Sequence, residues 1–150
     1  MTPGHREAQA MFDALGRKLG MKAKHSFSRS YPTDGVWYSD SQPGFPEAPV
    51  AAIEVIVSES RKTVRGSLLT LEVVSPAVGI LLVHEDEIRR RLVRAGCDPE
   101  VAARRVSAIN AHAADLAQAS RQRVEVWSFA GLVRRYRRAT GAHSIYQPAA

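Results

Sequence analysis

Apolar residues at Ala8, Met11, Phe12, Leu15 and Leu19 recur at helical spacing, and Gly20 is placed to end a helix that opens at Gly4. Met21 to Tyr31 alternates weakly through Ala23, His25 and Phe27, as a half-exposed strand does. DGVWY (34–38) predicts a short aromatic strand, and 39–49, with three prolines and a glycine, a loop or hairpin connection. VAAIEVIV (50–57) is almost continuously apolar, the pattern of a strand covered on both faces of a sheet. A single glutamate, Glu54, interrupts it.

The chain then turns through SESRKTV, where Ser58 or Ser60 can cap a helix. Val64, Leu68, Leu71 and Val74 carry that helix, and Ser75-Pro76 ends it. VGILLV (78–83) predicts a second buried strand. A short helix is expected over 85–96, and Asp98-Pro99-Glu100 starts a longer one reaching about Ser120. RVEVWS (123–128) predicts the last strand and 129–139 the last helix, with a loose tail over 140–150. The order α–β–β–β–α–β–α–α–β–α defines an α/β fold: one sheet with helices on its faces, in a single domain spanning 1–139.

Composition agrees with a folded domain. At 150 residues, 45% hydrophobic and 24% charged, the chain has the size and balance of one globular unit. Cys97 is the only cysteine, which excludes an internal disulfide and a four-thiolate zinc site and fits a reducing cytosol. The opening MTPGHREAQAMF lacks the apolar core of a signal peptide, and no apolar run reaches membrane-spanning length. A cytoplasmic protein without membrane contact is expected. The net charge of +6 is unevenly spread. Residues 31–60 hold Asp34, Asp40, Glu47, Glu54 and Glu59 and no Lys or Arg, whereas residues 1–30 and the last thirty are strongly basic. Basic flanks around an acidic centre suit a polyanion held at a metal site. The excess of Arg over Lys, 17 to 4, is equally the mark of a compositional bias in coding.

An isolated carboxylate inside AAIEVIV would carry a large desolvation penalty. Three explanations stand: a buried ion pair, a strand end closer to the surface, or a metal ligand. Asp34 opens the preceding strand, and two carboxylates on adjacent strands can converge on one hard cation.

The series of a helix, a strand, TDGVW, a loop, AAIEVIV, a helix and VGILLV resembles the core of the PD-(D/E)xK, or restriction-endonuclease-like, nuclease superfamily. The likeness covers about residues 5–84, and a closing strand and helix like 123–139 are also common there. It implies a central mixed sheet flanked by helices, with the pair at 85–120 an addition. It also implies Mg²⁺ or Mn²⁺ held by Asp34 and Glu54, hydrolysis of phosphodiester bonds, and nucleic acid as partner, DNA before RNA. Some branches carry a glutamate on the first helix that completes the metal shell, a role that would fall here to Glu7.

One departure stands out. The superfamily places a lysine two residues after the glutamate, and this chain has Ile56 there. An aliphatic side chain cannot orient water or offset charge at a transferring phosphate. Lys62, opening the next helix, is the nearest replacement, with Lys24 a weaker one; Lys62 equally fits a solvated charge in a first helical turn. Arg61 and Arg65 beside it, and Arg134, Arg135, Arg137 and Arg138 on the last helix, are candidate phosphate contacts or plain solvated charges. Ser58 either faces the site or caps the helix. Trp37 and Trp127 read as core aromatics, and His5, His25, His84, His112 and His143 show no metal-ligand spacing.

Three functions therefore compete. The first is a metal-dependent endonuclease, homodimeric if it is to cut both strands of a duplex. The second is an inactive nuclease-like subunit that binds nucleic acid or a protein within a larger assembly. The third is an α/β domain with no link to nucleic acid.

Overall fold

The computed structural model of the chain describes residues 1–39 and 43–141. Helix α1 spans Pro3–Lys18; Thr2 caps it by accepting a hydrogen bond from the His5 amide, and Pro3 supplies a preset first turn. Strands β1 (Lys22–Lys24), β2 (Gly35–Tyr38) and β3 (Pro49–Ile56) follow, then helix α2 (Arg61–Val74) and strand β4 (Val78–Val83). Helices α3 (Glu85–Arg94) and α4 (Pro99–Ala119), strand β5 (Val124–Ser128) and helix α5 (Phe129–Thr140) complete the order.

The five strands form one mixed sheet in the order β1-β2-β3-β4-β5. β1 with β2 and β2 with β3 are antiparallel, whereas β3 with β4 and β4 with β5 are parallel. Alternation along β3 divides the interior in two. Ile53 and Val55 join Phe12, Leu15, Ile80 and Leu132 beneath α1 and α5. Ala52 and Ile56 join Val64, Leu71, Leu81, Ile88 and Val106 beneath α2, α3 and α4. Both faces are covered, which is why 50–57 and 78–83 read as continuous apolar runs. Each fully buried Ile, Leu or Phe contributes about 1.5–3 kcal/mol, and the Phe12–Trp37 ring stack, with centroids 4.2 Å apart, fastens α1 to β2.

The α/β class and the helical pair over 85–120 match the reading of the sequence. The first strand does not: it covers only Lys22–Lys24, not Met21–Tyr31. Beyond it the serines and threonine hold a loop. Ser28 accepts from the Tyr31 amide at 3.0 Å, and Thr33 accepts from the Phe27 amide at 3.2 Å. Such side-chain bonds compete with strand pairing. Ser60, not Ser58, caps α2, accepting from the Thr63 amide. Residues 40–42 of the expected loop and 142–150 of the expected tail lie outside the described residues; α5 runs to Thr140, and Gly141 follows with a left-handed backbone. Among the described residues, no helix is long and apolar enough to cross a membrane.

Candidate metal centre at the carboxyl edge of the sheet

Asp34 sits one residue before β2, level with Glu54 across the antiparallel pair, because Gly35 is in register with Ile53. The Asp34 amide donates to the Ile53 carbonyl at 3.1 Å. Its carboxylate then turns back along β3, where Oδ2 accepts from the Val55 amide at 2.8 Å. A β3 backbone donor left over where β2 ends thus anchors the side chain. Gly35 makes room for this, since a Cβ there would come within 2.8 Å of the Phe12 ring.

The other oxygen, Oδ1, meets helix α1. His5 Nε2 lies 3.1 Å from it, and Gln9 Nε2 reaches it at 3.5 Å from one turn further on. Glu54, 9% exposed, hydrogen-bonds Asp34. Burial first, and then the neighbouring Asp34 charge, push the Glu54 pKa up to about 9. For Asp34, burial works in the opposite sense to the rest; the His5 hydrogen bond, the Val55 amide, the His5 charge and the Glu54 hydrogen bond outweigh it and hold the carboxyl below its ordinary value. The two shifts together favour a single negative charge on the pair near neutral pH, drawn toward Asp34.

Of the three explanations for a charge inside β3, the strand-end one is partly correct: Glu54 lies two residues before the carboxyl end. The ion-pair explanation fails among the described residues, where no cation bonds Glu54 directly; its partner is another acid. A buried and a half-buried carboxyl in contact form an arrangement that a divalent cation would relieve by replacing the proton. The donor set fits a hard or borderline cation, although among the described residues no group of three or more His, Cys, Asp and Glu side chains is already disposed to hold a metal.

The remaining candidates are scattered. Ile56 is fully buried in the α2–α4 layer, so the position of the usual lysine is sealed inside the core. Lys62 is exposed in the first turn of α2 and makes no hydrogen bond or ion pair with either carboxylate. Lys24 is engaged elsewhere, 3.5 Å from Glu47 and over the Tyr38 ring. Glu7 points away from the pair: its carboxylate is 3.9 Å from His84 Nε2, with Arg90, Glu87 and Asp86 as charged neighbours, and burial raises its pKa. Arg61 and Arg65 are exposed on α2, on the opposite face of the sheet from Arg134, Arg135, Arg137 and Arg138 of α5. Arg135 lies 3.9 Å over the Trp127 ring, so Trp127 is a half-buried platform for that arginine, while Trp37 is a core residue whose Nε1 donates to the Phe12 carbonyl.

The group that the sequence pattern missed is His5. Its signal was faint but present: His5 extends the buried stripe of Ala8, Phe12 and Leu15 by one step toward the helix start, placing a polar ring on the inward face. A shallow pocket at the same edge is lined by Val57, Ser58, Glu59, Ile88, Arg91 and Leu92 and does not include Asp34 or Glu54. Compared with protein families, curated proteins and solved structures, the chain matches none of them.

Proposed function

We propose that this chain is a metal-dependent phosphodiesterase acting on nucleic acid, DNA before RNA, with a core of the PD-(D/E)xK nuclease kind. The observation that carries this reading is the contact between Asp34, half-buried at the start of β2, and Glu54, buried within β3. The element order α1-β1-β2-β3-α2-β4, with the Asp opening the second strand and the Glu within the third, accords with that kind of core.

Charge placement supports an anionic substrate. Helices α3 and α5 follow closely on the carboxyl ends of β4 and β5, α2 follows β3 after the turn over 57–60, and the first turn of α1 rests on Asp34 and His84. Helix dipoles at this edge favour an anion, although each of the four starts is capped by a side chain (Thr2, Ser60, His84, Ser128) and α3 carries Glu85, Asp86 and Glu87 in its first turn. Arg61, Lys62 and Arg65 occupy the first turns of α2 at this edge and are free in solvent to meet a phosphodiester backbone.

The Val55 amide, His5 and Gln9 fix the orientation of Asp34, and Glu54 would release its proton to solvent on joining Asp34 as a ligand. Bound Mg²⁺ or Mn²⁺ would polarise the phosphate and lower the pKa of an attacking water. Cutting both strands of a duplex calls for two such sites, so a homodimer belongs to the same reading.

The test is cleavage of supercoiled plasmid and of single-stranded RNA in Mg²⁺ or Mn²⁺. The wild type should cut, whereas Asp34→Asn and Glu54→Gln should bind DNA without cutting it. Undiminished cutting by both variants would sink the proposal. The burial of Ile56 favours a second reading, an inactive nuclease-like subunit of a larger complex; tight DNA or protein binding without metal-dependent turnover by the wild type would select it.

A further inference from the structure

Helix α1 turns a polar line toward the β1–β2 side of the sheet. His5, Gln9 and Asp13 recur every four residues, so they stand above one another, about 6 Å apart along the helix axis. His5 and Gln9 both reach Asp34 Oδ1. One turn further on, Asp13 Oδ2 lies 2.9 Å from His25 Nδ1. The sheet brings His25 toward Asp34 by a second route. Lys24, the last residue of β1, is in register with Val36, so His25 follows at the level of Gly35, the chain neighbour of Asp34.

The Asp13–His25 pair is unequal. Asp13 has a side chain 6% exposed, and among the described residues its Oδ1 has no hydrogen-bond partner. The His25 side chain is 81% exposed. Burial raises the Asp13 pKa, while the charges of His25 and Arg17 lower it. Lys24, next to His25 in sequence, turns its ammonium to Glu47 and the Tyr38 ring instead. A carboxylate taken out of water gains little stability from a partner that stands in water. What Asp13 does achieve is orientation. The 2.9 Å separation calls for a proton between Oδ2 and Nδ1, carried by Nδ1 once Asp13 is ionised. Nε2 of the neutral ring then presents a lone pair to solvent. An imidazole held in that tautomer by a buried carboxylate is a positioned proton acceptor.

We propose that His25, positioned by Asp13, is the general base of phosphodiester hydrolysis at this edge, taking the proton of the water that attacks phosphorus. The proposal rests on the reading of Asp34 and Glu54 as the centre where the phosphodiester is held. In this step the water oxygen bonds phosphorus and the water proton passes to His25 Nε2. The bond from phosphorus to the leaving ester oxygen breaks with its electron pair on that oxygen, which takes a proton from solvent. His25 then returns its own proton to solvent. Ile56, sealed in the core at the usual lysine position, can transfer no proton, and His25 supplies that function from β1 instead.

The experiment follows cleavage of a labelled DNA duplex by the full chain in Mg²⁺ or Mn²⁺ across pH, beside nitrogen NMR of the imidazoles in metal-free protein. The wild-type rate should rise with pH as His25 loses its proton, and then level off. His25→Gln should leave thermal unfolding unchanged, lower kcat at least about a hundredfold with KM within about threefold, and abolish that limb of the pH profile. Added imidazole should restore part of the activity of His25→Ala. Asp13→Asn should lower kcat at least about tenfold, move the limb to lower pH and, without metal, shift neutral His25 toward the tautomer with its proton on Nε2. A histidine that only braces Asp13 would change melting and leave kcat and its pH limb in place. Cleavage that needs Asp34 and Glu54 but is indifferent to His25→Gln would overturn this inference and leave the carboxylate pair standing. No cleavage by the wild type would overturn both. A wild-type spectrum with the neutral His25 proton on Nε2 would overturn the inference without any variant.

Discussion

Asp34 and Glu54 meet across the β2–β3 pair with their acidities driven apart, Asp34 below the ordinary carboxyl value and Glu54 above it. Asp34 is stabilised as an anion by the Val55 amide and His5, whereas Glu54 has only its acidic neighbour and the surrounding core. The asymmetry has consequences for stability, metal response and mutation.

The first concerns pH. Burial and Asp34 raise the Glu54 pKa from the model-peptide 4.5 to about 9, so between these values the folded chain holds a proton that the unfolded chain has lost. Stability from this group is complete below pH 4.5 and declines as pH rises toward 9, by up to about 1.4 kcal/mol per unit. Asp34 acts oppositely, at the acid end: its lowered pKa contributes stability that is lost as pH falls below the ordinary carboxylate range. In chelator-treated protein, the melting temperature of the wild type should therefore fall between pH 5 and 9, while that of Glu54→Gln should stay nearly flat. Parallel curves would show that Glu54 ionises normally.

Installing the lysine of the superfamily pattern should damage the fold. Ile56 is fully buried among Val64, Leu81 and Ile88, so Ile56→Lys places an ammonium where no solvent reaches. Glu54, two positions away on the same face of β3, offers only partial compensation. The expected loss is on the order of 3 kcal/mol or more, read from urea unfolding. A variant as stable as wild type would mean that the side chain finds a path to the carboxylates.

Lys62 separates catalysis from folding cleanly. Exposed and without a bonded partner on the described residues, it should be replaceable by Ala with a stability change within about 0.5 kcal/mol. Any large fall in metal-dependent cleavage by Lys62→Ala then reports a direct part in the reaction. Unchanged cleavage removes Lys62 from the site.

Gly4 should resist replacement although Ala is the better helix former. A Cβ would contact Glu87 and His84, both buried, and His84 is itself stacked on Phe129 at 4.2 Å between ring centroids. Gly4→Ala should cost about 1–3 kcal/mol in chemical unfolding and displace His5 from Asp34. Unaltered stability would indicate that the first turn of α1 moves aside freely.

Much of this protein is written in local pattern. The helical stripe of α1, the unbroken apolar runs of β3 and β4, and the Pro and Gly punctuation determine the element order, because each depends only on neighbours a few residues away. The same logic put Asp34 and Glu54 on adjacent strands, and the register of β2 with β3 makes them meet. The sequence could not show that β1 ends after Lys24, since Thr33 and Ser28 compete for the backbone only once the loop has closed. Nor could it show that Glu7 turns toward His84 while His5 turns toward Asp34, or that the arginines of α2 and α5 lie on opposite faces. Those outcomes depend on how helices cross the sheet, and side chains far apart in sequence meet only through packing. The proton on Glu54 belongs with them: a carboxyl's charge is decided by the solvent it loses and the neighbours it gains, and both are properties of the folded state.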